Sequence, residues 1–251
     1  MKRYNFELAQ AFHKTDIGLD GIIRSLGGEP IPRHKETIVW YSDGSISSYE
    51  ITGELKDGSI PDKENAVKVE IGTDVTSIVD YMFPYCSGLT SVTIGNRVTS
   101  IGQVSFYNCS NLSSIVIPNS VTSIGQSAFS GCYGLTSIMI GNSITSINNL
   151  VFSRCSNLLS ITIPYSVTSI GNDAFSDCTA LSSITSLRTS APIIQSYAFG
   201  DLTSNYTGRN TYSTGDNVLK VPQGATGYDS GVWLDPLQDA TKCGFHIEYL
   251  D

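Results

Sequence analysis

The segment SNLSSIVIPNSVTSIGQSAFSGC, residues 110–132, recurs as SNLLSITIPYSVTSIGNDAFSDC at residues 156–178, and a third version of it fills the residues between. Five cysteines keep the same period of 23 residues along the chain: Cys86, Cys109, Cys132, Cys155 and Cys178. A fixed period of this length indicates a solenoid, in which each repeat forms one coil and stacks on its neighbours.

Further apolar columns keep the register of the cysteines, so the period is not a chance coincidence. They comprise Leu89, Leu112, Leu135, Leu158 and Leu181; the strand pairs Val92/Ile94, Ile115/Ile117, Ile138/Ile140 and Ile161/Ile163; Ile78, Ile101, Ile124, Ile147 and Ile170; and Phe83, Phe106, Phe129, Phe152 and Phe175. Each repeat therefore has an L-x-x-[IV]-x-I core, which is the pattern of leucine-rich repeats.

The repeat predicts a leucine-rich-repeat solenoid: a right-handed coil with a parallel β-sheet on one face, mostly strand and loop, with non-repeat caps at both ends. Alternation along a strand turns Ile115 and Ile117 inward. Gly102, Gly125 and Gly171 follow the V-T-S-I stretch, and we expect them to turn the chain at positive φ. Isolated repeats should not fold, because each coil buries its apolar side chains against its neighbours.

The five periodic cysteines are predicted to be free, buried thiols that act as small hydrophobic side chains. Equivalent residues of stacked coils lie roughly 4.7–5 Å apart with parallel side chains. A disulfide needs Cβ atoms that point toward each other at about 3.8 Å. The convergent ligands of a metal site are also missing from the pattern. Cys243 lies outside the array.

Three regions follow from the repeat. Residues 1–65 do not fit it and are predicted to form a short helix over residues 15–26 and a β-hairpin at residues 37–51 around a Ser-Asp-Gly turn. This region is either a cap on the first coil or a small module with a binding role of its own. Residues 66–190 are the array, with about five units of 23 residues.

Residues 191–251 form a degenerate repeat followed by a C-terminal cap. Ile193 and Phe199 keep the V-T-S-I and A-F positions if one residue is added, and residues 200–217 form a polar insertion. Residues 218–222, VLKVP, predict one more strand that ends in proline. The apolar tail residues that we expect to cover this end are Trp233, Leu234, Leu237, Phe245 and Ile247.

The net charge of −8 and the pI near 4.8 argue against nucleic acid and anionic membranes as partners. Residues 1–70 hold 21 of the 38 charged side chains, whereas residues 75–190 hold six. No stretch approaches 18 consecutive apolar residues, so no membrane insertion is expected. The first residues, MKRYNFELAQAFHK, do not form an intact signal peptide. We expect a secreted or cell-surface protein if a leader was removed, and a cytoplasmic one otherwise.

The phrases at residues 110–132 and 156–178 resemble the 23-residue leucine-rich repeats of BspA-like bacterial surface antigens. The resemblance covers roughly residues 66–200, and the Leu-Lys-Val-Pro-Gln-Gly segment is also similar to the ends of such arrays. It implies a single curved solenoid and, as in better-known relatives, adhesion to host or matrix proteins. It transfers no catalytic residue.

No constellation of residues points to catalysis, to a cofactor or to a metal. The three histidines, His13, His34 and His246, are far apart in sequence, and no G-x-S-x-G elbow accompanies them. The Walker A, G-x-G-x-x-G and H-E-x-x-H motifs are all missing. We therefore expect a protein without enzymatic activity, cofactor or metal.

The candidate binding surface is the outer face of the predicted sheet. The residue between the two inward strand positions points to solvent, which gives the ladder Glu70, Thr93, Val116, Met139, Thr162 and Thr185. Val116 and Met139 replace the usual threonine in neighbouring coils, and Leu159 replaces a serine or threonine in another column. Adjacent apolar side chains on a polar sheet can mark a contact site, although isolated ones are common on surfaces.

Four tyrosines lie near the A-F-x-x-C turns, Tyr81, Tyr85, Tyr107 and Tyr133, and the last three are the second candidate. Tyrosine is enriched in interfaces, but it also covers the turns of solenoids. We predict a non-catalytic module that binds a protein or glycan of unknown identity, at a bacterial surface. The alternative is a structural spacer or assembly subunit without a ligand, because the Thr-Ser faces of the coils are nearly identical.

Overall fold

The computed structural model of the chain describes residues 35–199, 218–228 and 246–250, with only the backbone for His246. The predicted helix over residues 15–26, the insertion at residues 200–217, His13, His34 and Cys243 lie outside the described residues. The same holds for the tail residues Trp233, Leu234, Leu237 and Phe245.

Each coil places two strands at fixed points of the repeat. The L-x-x-I-x-I segments form the first strands, β4 (Ala66–Glu70), β6 (Ser91–Thr93), β8 (Ser114–Ile117), β10 (Ser137–Ile140), β12 (Ser160–Ile163), β14 (Ser183–Ser186), β16 (Val218–Pro222) and β17 (His246–Leu250). The V-T-S-I segments form the second strands, β5 (Val75–Ile78), β7 (Ser100–Ile101), β9 (Ser123–Ile124), β11 (Ser146–Ile147), β13 (Ser169–Ile170) and β15 (Ile193–Ile194). Ahead of the first coil lie β1 (Thr37–Tyr41), β2 (Ile46–Tyr49), β3 (Gly53–Leu55) and a 3₁₀ turn at Lys63–Asn65.

The strands of successive coils pair in parallel and in register, so that residues 23 positions apart lie side by side, as Ile138 and Ile115 do. The first strands form sheets in the orders β2-β1-β4-β6, β8-β10 and β12-β14-β16-β17. The second strands form sheets in the orders β3-β5-β7-β9 and β11-β13-β15. The predicted solenoid with a parallel sheet is confirmed, and the structure adds a second run of parallel sheet built from the V-T-S-I segments.

The core is a set of buried columns that run along the stack. The leucine, isoleucine and cysteine columns of the array are all nearly inaccessible to solvent. Six phenylalanines form a continuous pile of rings with centroids 5.2–5.7 Å apart and planes within 19° of each other: Phe83, Phe106, Phe129, Phe152, Phe175 and Phe199. Each ring therefore packs against a ring in the coil before it and in the coil after it, which makes the coils mutually dependent.

The cysteines are free and buried, as predicted, but they do more than fill space. Four of the five thiols donate a hydrogen bond to the phenylalanine carbonyl of the preceding coil, whereas Cys86 donates to the carbonyl of Lys63 at 3.3 Å. The Sγ–O distances are 3.2 Å for Cys109 to Phe83, 3.3 Å for Cys132 to Phe106, 3.4 Å for Cys155 to Phe129 and 3.1 Å for Cys178 to Phe152. The cysteine thiol is a small and weak donor, but it gives the buried carbonyl an additional hydrogen-bond partner. An alanine or valine at the same position would leave that carbonyl with a single partner.

The prediction that Gly102, Gly125 and Gly171 turn the chain at positive φ is wrong. The left-handed residues lie instead in the A-F-x-x-C segment, at Tyr81, Val104, Ser127, Leu150, Asp173 and Tyr197 and again at Tyr85, Asn108, Gly131, Arg154 and Asp177. A left-handed residue costs about 1–2 kcal/mol unless it is glycine. Hydrogen bonds to the next coil offset this cost, because these turns direct their amide groups along the stack. In one coil, the amides of residues 104, 106 and 108 donate to the carbonyls of residues 126, 128 and 130 at 3.0, 2.8 and 2.8 Å.

The glycines of the predicted turns are required for another reason, which is the close approach of successive coils. A Cβ atom on Gly125 would lie 2.3 Å from the backbone nitrogen of Gln103, and one on Gly102 would lie 2.4 Å from that of Asp80. Real Cβ atoms do not approach backbone atoms so closely, so a side chain here would force the coils apart. The glycine column therefore serves the packing of coils, not the direction of the chain.

The described part of the N-terminal region is joined to the first coil by hydrogen bonds. Strands β1 and β2 form the predicted hairpin, and β1 pairs antiparallel with β4. Strand β3 pairs in parallel with β5 and so begins the second run of sheet. Val39, Leu55 and Ile60 are buried in the same core as the array. Residues 37–60 thus pair with the first coil and pack on it, and their role as a cap or as a separate binding module stays a prediction.

At the other end, the degenerate repeat and the last predicted strand are present. Phe199 stacks on Phe175, 24 residues earlier, so this last repeat is one residue longer than the others, as predicted. Ile194, not Ile193 as predicted, pairs with Ile170, and Ile193 is 72% exposed. Strand β16 continues the first-strand sheet beyond β14, and β17 pairs with β16 in parallel.

Substitution of Gly125 by alanine tests the close approach of coils. We expect Gly125→Ala to lower the free energy of unfolding by about 1–3 kcal/mol, as overpacking does in other proteins. Gly88→Ala is the matched control, because its Cβ would lie 3.5 Å from its nearest neighbour and its φ is not positive. Urea denaturation measures both. Equal stabilities of the two variants would contradict the account.

The buried thiols make stability depend on alkaline pH. Burial raises the pKa of Cys132 from 9.0 to about 12. The folded chain therefore holds this proton more tightly than the unfolded chain. The stabilisation is complete below pH 9 and is lost as the pH rises toward 12. At pH 10 the loss is about 1 kcal/mol for this one thiol.

Cys132→Ala in a Cys243→Ser background isolates this contribution. We expect the variant to be less stable than its parent at pH 7.5, and the difference to shrink by about 1 kcal/mol at pH 10. Urea denaturation at the two pH values provides the measurement. A difference that does not change with pH would show that the thiol is not buried as described.

Candidate binding surfaces

The ladder on the outer face of the first strands is present in the structure, and its centre is apolar. Val116 and Met139 are direct register partners on β8 and β10, and both are half-buried. Thr93 on β6 and Thr162 on β12 lie on either side of them and are also half-buried. Thr185, predicted to face solvent, is only 7% exposed between the strands on its two sides. The face thus presents two neighbouring apolar side chains between threonines.

Charged residues occupy the two ends of this ladder, and they are paired. Glu70 lies beside Thr93, and its carboxylate is 3.0 Å from the amino group of Lys68. At the far end Lys220 follows Thr185, and its amino group lies 3.5 Å from the carboxylate of Glu248 on β17. The order along the stack is therefore charged, threonine, apolar, threonine, charged.

Leu159 interrupts a ladder of hydroxyl groups. In its column, serine and threonine hydroxyls donate to the carbonyl of the same position one coil earlier, as Thr136 does to Ser113 at 3.1 Å and Thr90 does to Val67 at 2.9 Å. Leu159 has no hydroxyl, and its amide donates to Thr136 at 3.4 Å. Its side chain is 55% exposed just before β12. The exchange gives up a hydrogen bond between coils and places an apolar group in solvent.

The tyrosines divide into a pair and a single residue. The rings of Tyr85 and Tyr107 make an edge-to-face contact with centroids 5.4 Å apart. Tyr85 is 66% exposed and Tyr107 is half-buried, so the pair presents one large ring to solvent. Tyr133 is exposed, and within the described residues it makes no ring contact with the pair. These residues belong to the A-F-x-x-C segments, each of which precedes a first strand in the chain.

Sequence patterns did not predict an open groove of about 600 Å³ along the second strands. Ser77, Ser100 and Ser123 contribute hydroxyl groups to its lining, and Glu54, Asp80, Gln103, Gln126 and Asn148 contribute carboxylates and carboxamides. The rest of the lining is apolar or glycine: Ile78, Val79, Ile101, Gly102, Ile124 and Gly125. The signal was present in the sequence as the glycine column, which we interpreted as a turn. Only the stacked coils show that Gly102 and Gly125 also leave this strip without side chains.

These surfaces present apolar side chains, hydroxyl and carboxamide groups, and a few carboxylate and amino groups. Burial raises the pKa of the Cys86 thiol to about 11 and raises the pKa values of Cys109 and Cys155 well above 9.0, so these thiols stay protonated at neutral pH. Among the described residues, no three acidic, histidine or cysteine side chains converge to hold a metal ion. The described residues also include no helix that is long and apolar enough to cross a membrane.

A family model described as "BspA type Leucine rich repeat region" matches residues 63–206 in six copies. The match covers more than half of the 251-residue chain and begins within the 3₁₀ turn before β4. No curated protein matches the chain.

Solved structures of bacterial leucine-rich-repeat proteins are similar to the chain. The leucine-rich-repeat protein of T. pallidum is 29% identical over 59% of this chain and 67% of its own, with a TM-score of 0.44. A leucine-rich-repeat protein of Eubacterium ventriosum is 22% identical over 71% of this chain and 54% of its own, with a TM-score of 0.48. A leucine-rich cell surface protein of Faecalibacterium prausnitzii is 27% identical over 69% of this chain and 52% of its own, with a TM-score of 0.42. The matches span about half the length of the last two proteins.

Leu159→Thr should restore the interrupted hydroxyl ladder. We expect the variant to be more stable than the parent by about 0.5–1 kcal/mol, since the new hydroxyl can donate to the Thr136 carbonyl. The matched control is Thr136→Val, which removes the hydroxyl bond to Ser113 and should lower stability by a similar amount. Thermal or urea denaturation measures both changes. A loss of stability in Leu159→Thr would show that the leucine side chain is itself stabilising.

Proposed function

Because the chain belongs to the BspA-type leucine-rich-repeat family, we propose that it is a non-catalytic interaction module that binds a protein partner at a bacterial surface. The proposed binding site is the ladder face of the first strands, with Val116 and Met139 at its centre. Thr93 and Thr162 flank them, and Leu159 extends the apolar surface toward β12.

The arrangement of the ladder is the observation that supports this proposal. Protein interfaces have an apolar core that excludes water and a polar rim that remains solvated. The ladder has the same order, since the Val116–Met139 pair lies between threonines and the charged pairs lie at the ends. Apolar residues scattered by chance over the surface would not be expected to show this order of apolar centre, threonines and charged ends.

The ladder is also large enough for a stable complex. Eight strands spaced by about 4.8 Å span roughly 34 Å along the stack. A typical interface buries about 800 Å² on each partner, which a face of this length can provide together with the adjoining turns. Tyr85, Tyr107 and Tyr133 are candidates for such additional contacts because they lie on exposed turns of the same coils.

The stacking of the coils explains the repeated threonines and serines, which weakens the argument for a structural spacer. Their hydroxyl groups bridge neighbouring coils, as Thr122 does to Thr99 at 3.1 Å, so their repetition reflects folding. Val116, Met139 and Leu159 depart from the repeat without an evident gain in stability. Such departures are expected where a surface has been adapted to a partner.

The double variant Val116→Thr/Met139→Thr tests the site. We expect the fold to be retained, because threonine suits a half-buried strand position and occupies it in the neighbouring coils. Binding to immobilised host extracellular-matrix proteins, measured by biolayer interferometry, should weaken by at least about tenfold for the partner that binds the parent, as loss of an apolar interface centre does.

The control variant is Ile46→Thr, which removes an apolar side chain that is 62% exposed on strand β2, outside the proposed site. It should bind as the parent does. Unchanged binding by the double variant would exclude the ladder face. Failure of the parent to bind any of the matrix proteins would favour the spacer.

A further inference from the structure

The groove along the second strands is distinct from the ladder face, because the ladder residues belong to the first strands. It follows the stack from Glu54 before the first coil to Asn148, across β3, β5, β7 and β9. Its volume is about 600 Å³. At its middle Gly102 and Gly125 replace larger side chains, whereas Val79 and Asn148 occupy the same column at its two ends. The two glycines leave a strip of bare backbone as the floor.

The walls offer hydrogen-bonding groups of both kinds. The backbone amide of Gln103 donates a hydrogen bond of 2.7 Å to Oδ1 of Asp80 and so holds this side chain in place. The second carboxylate oxygen of Asp80 is left available. Among the described residues, the side chains of Glu54 and Gln126 make no hydrogen bond or ion pair, and both are exposed. The groove therefore presents carboxylate acceptors and a carboxamide that both donates and accepts.

Tyr81 is not among the residues that line the groove, but its hydroxyl group is joined to the lining by a hydrogen bond. The Nε2 atom of Gln103 donates a hydrogen bond of 2.9 Å to the hydroxyl oxygen of Tyr81, and the Tyr81 side chain is 52% exposed. Tyr81 is one of the left-handed residues of the A-F-x-x-C turns, with φ of 59°. A fixed ring next to carboxylate and carboxamide groups is the combination that recognises a sugar, since the apolar face of a pyranose packs on the ring while its hydroxyls bond to the polar groups.

The periodicity of the groove matches a polymer whose units repeat along the stack. Ser77, Ser100 and Ser123 repeat once per coil, at a spacing of about 4.8 Å. This spacing is close to the length of one pyranose unit in an extended glycan. A peptide strand is less suited, because β5 and β7 at the centre of the floor are already paired on both sides and offer no sheet edge there.

The charge of the lining selects among glycans. Glu54 and Asp80 contribute two carboxylates, and the lining residues include no lysine or arginine. Sulfated and uronic-acid polymers would be repelled, whereas neutral sugars accept carboxylates as hydrogen-bond partners. We propose that this groove binds a neutral glycan chain lying along the stack, with Tyr81, Asp80 and Gln126 as its principal contacts.

Isothermal titration of the full chain with neutral hexasaccharides of glucose, mannose, galactose and N-acetylglucosamine tests the proposal. We expect at least one to bind in the millimolar range or tighter. Gln126→Ala should weaken that binding about three- to tenfold, the value of one hydrogen bond. Tyr81→Ala should weaken it at least as much.

The matched control is Asn172→Ala, in the same column of the repeat as Gln126 but outside the groove. Its backbone amide bonds to Asn149 and is unaffected by the change, so the fold and the binding should both be retained. Circular dichroism of each variant confirms folding. Equal losses in Gln126→Ala and Asn172→Ala would overturn the assignment of the groove.

Two further outcomes would also overturn it. One is the absence of binding to all the neutral hexasaccharides. The other is binding of heparin or of reduced, carboxymethylated lactalbumin that Gln126→Ala abolishes, which would identify an anionic polymer or a polypeptide as the occupant. The Val116→Thr/Met139→Thr variant should bind the glycan as the parent does, so the two sites can succeed or fail independently.

Discussion

Hydrogen bonds between equivalent residues of successive coils are the interaction on which the rest of this structure depends. They run along three parts of the coil: the first strands, the second strands and the left-handed turns of the A-F-x-x-C segment. Together they fix the separation of the coils and bring every residue beside the residue 23 positions away. No coil can satisfy its backbone groups alone, because its partners belong to the coils on either side.

This constraint explains the choice of side chain in each column. A flat ring can stack repeatedly at the spacing of the coils, and the phenylalanine pile does so with near-parallel planes. Cysteine is small enough to lie beside it and still donates to a phenylalanine carbonyl. Glycine at positions 102 and 125 allows backbones to approach where any Cβ would collide. Serine and threonine on the outside bond to the preceding coil, as Thr99 does to Thr76 at 3.0 Å.

Because stacking determines most positions, those that depart from the repeat are the informative ones for function. Val116 and Met139 place an apolar centre on a threonine ladder, and Leu159 gives up a hydroxyl bond for an exposed side chain. Tyr81 and Gln126 stand beside a groove that the glycine column opens. Neither surface contributes to the core, so each can change without altering the fold. One scaffold can therefore present both the proposed protein-binding face and a separate groove.

The solenoid, the inward columns, the hairpin before the first coil and the strand at residues 218–222 could all be predicted from the sequence. Each depends on which residues are neighbours, and the period of 23 residues identifies those neighbours. It also placed Val116 beside Met139, since register along the stack follows from the period. Tertiary structure alone decided the second run of sheet, the thiol bonds to phenylalanine carbonyls and the groove beside Asp80. These features depend on how the backbone turns within one coil and on the distance between coils. The left-handed turns fall on residues such as Val104, whose type does not indicate a left-handed conformation. The repeat period also does not specify the distance between coils.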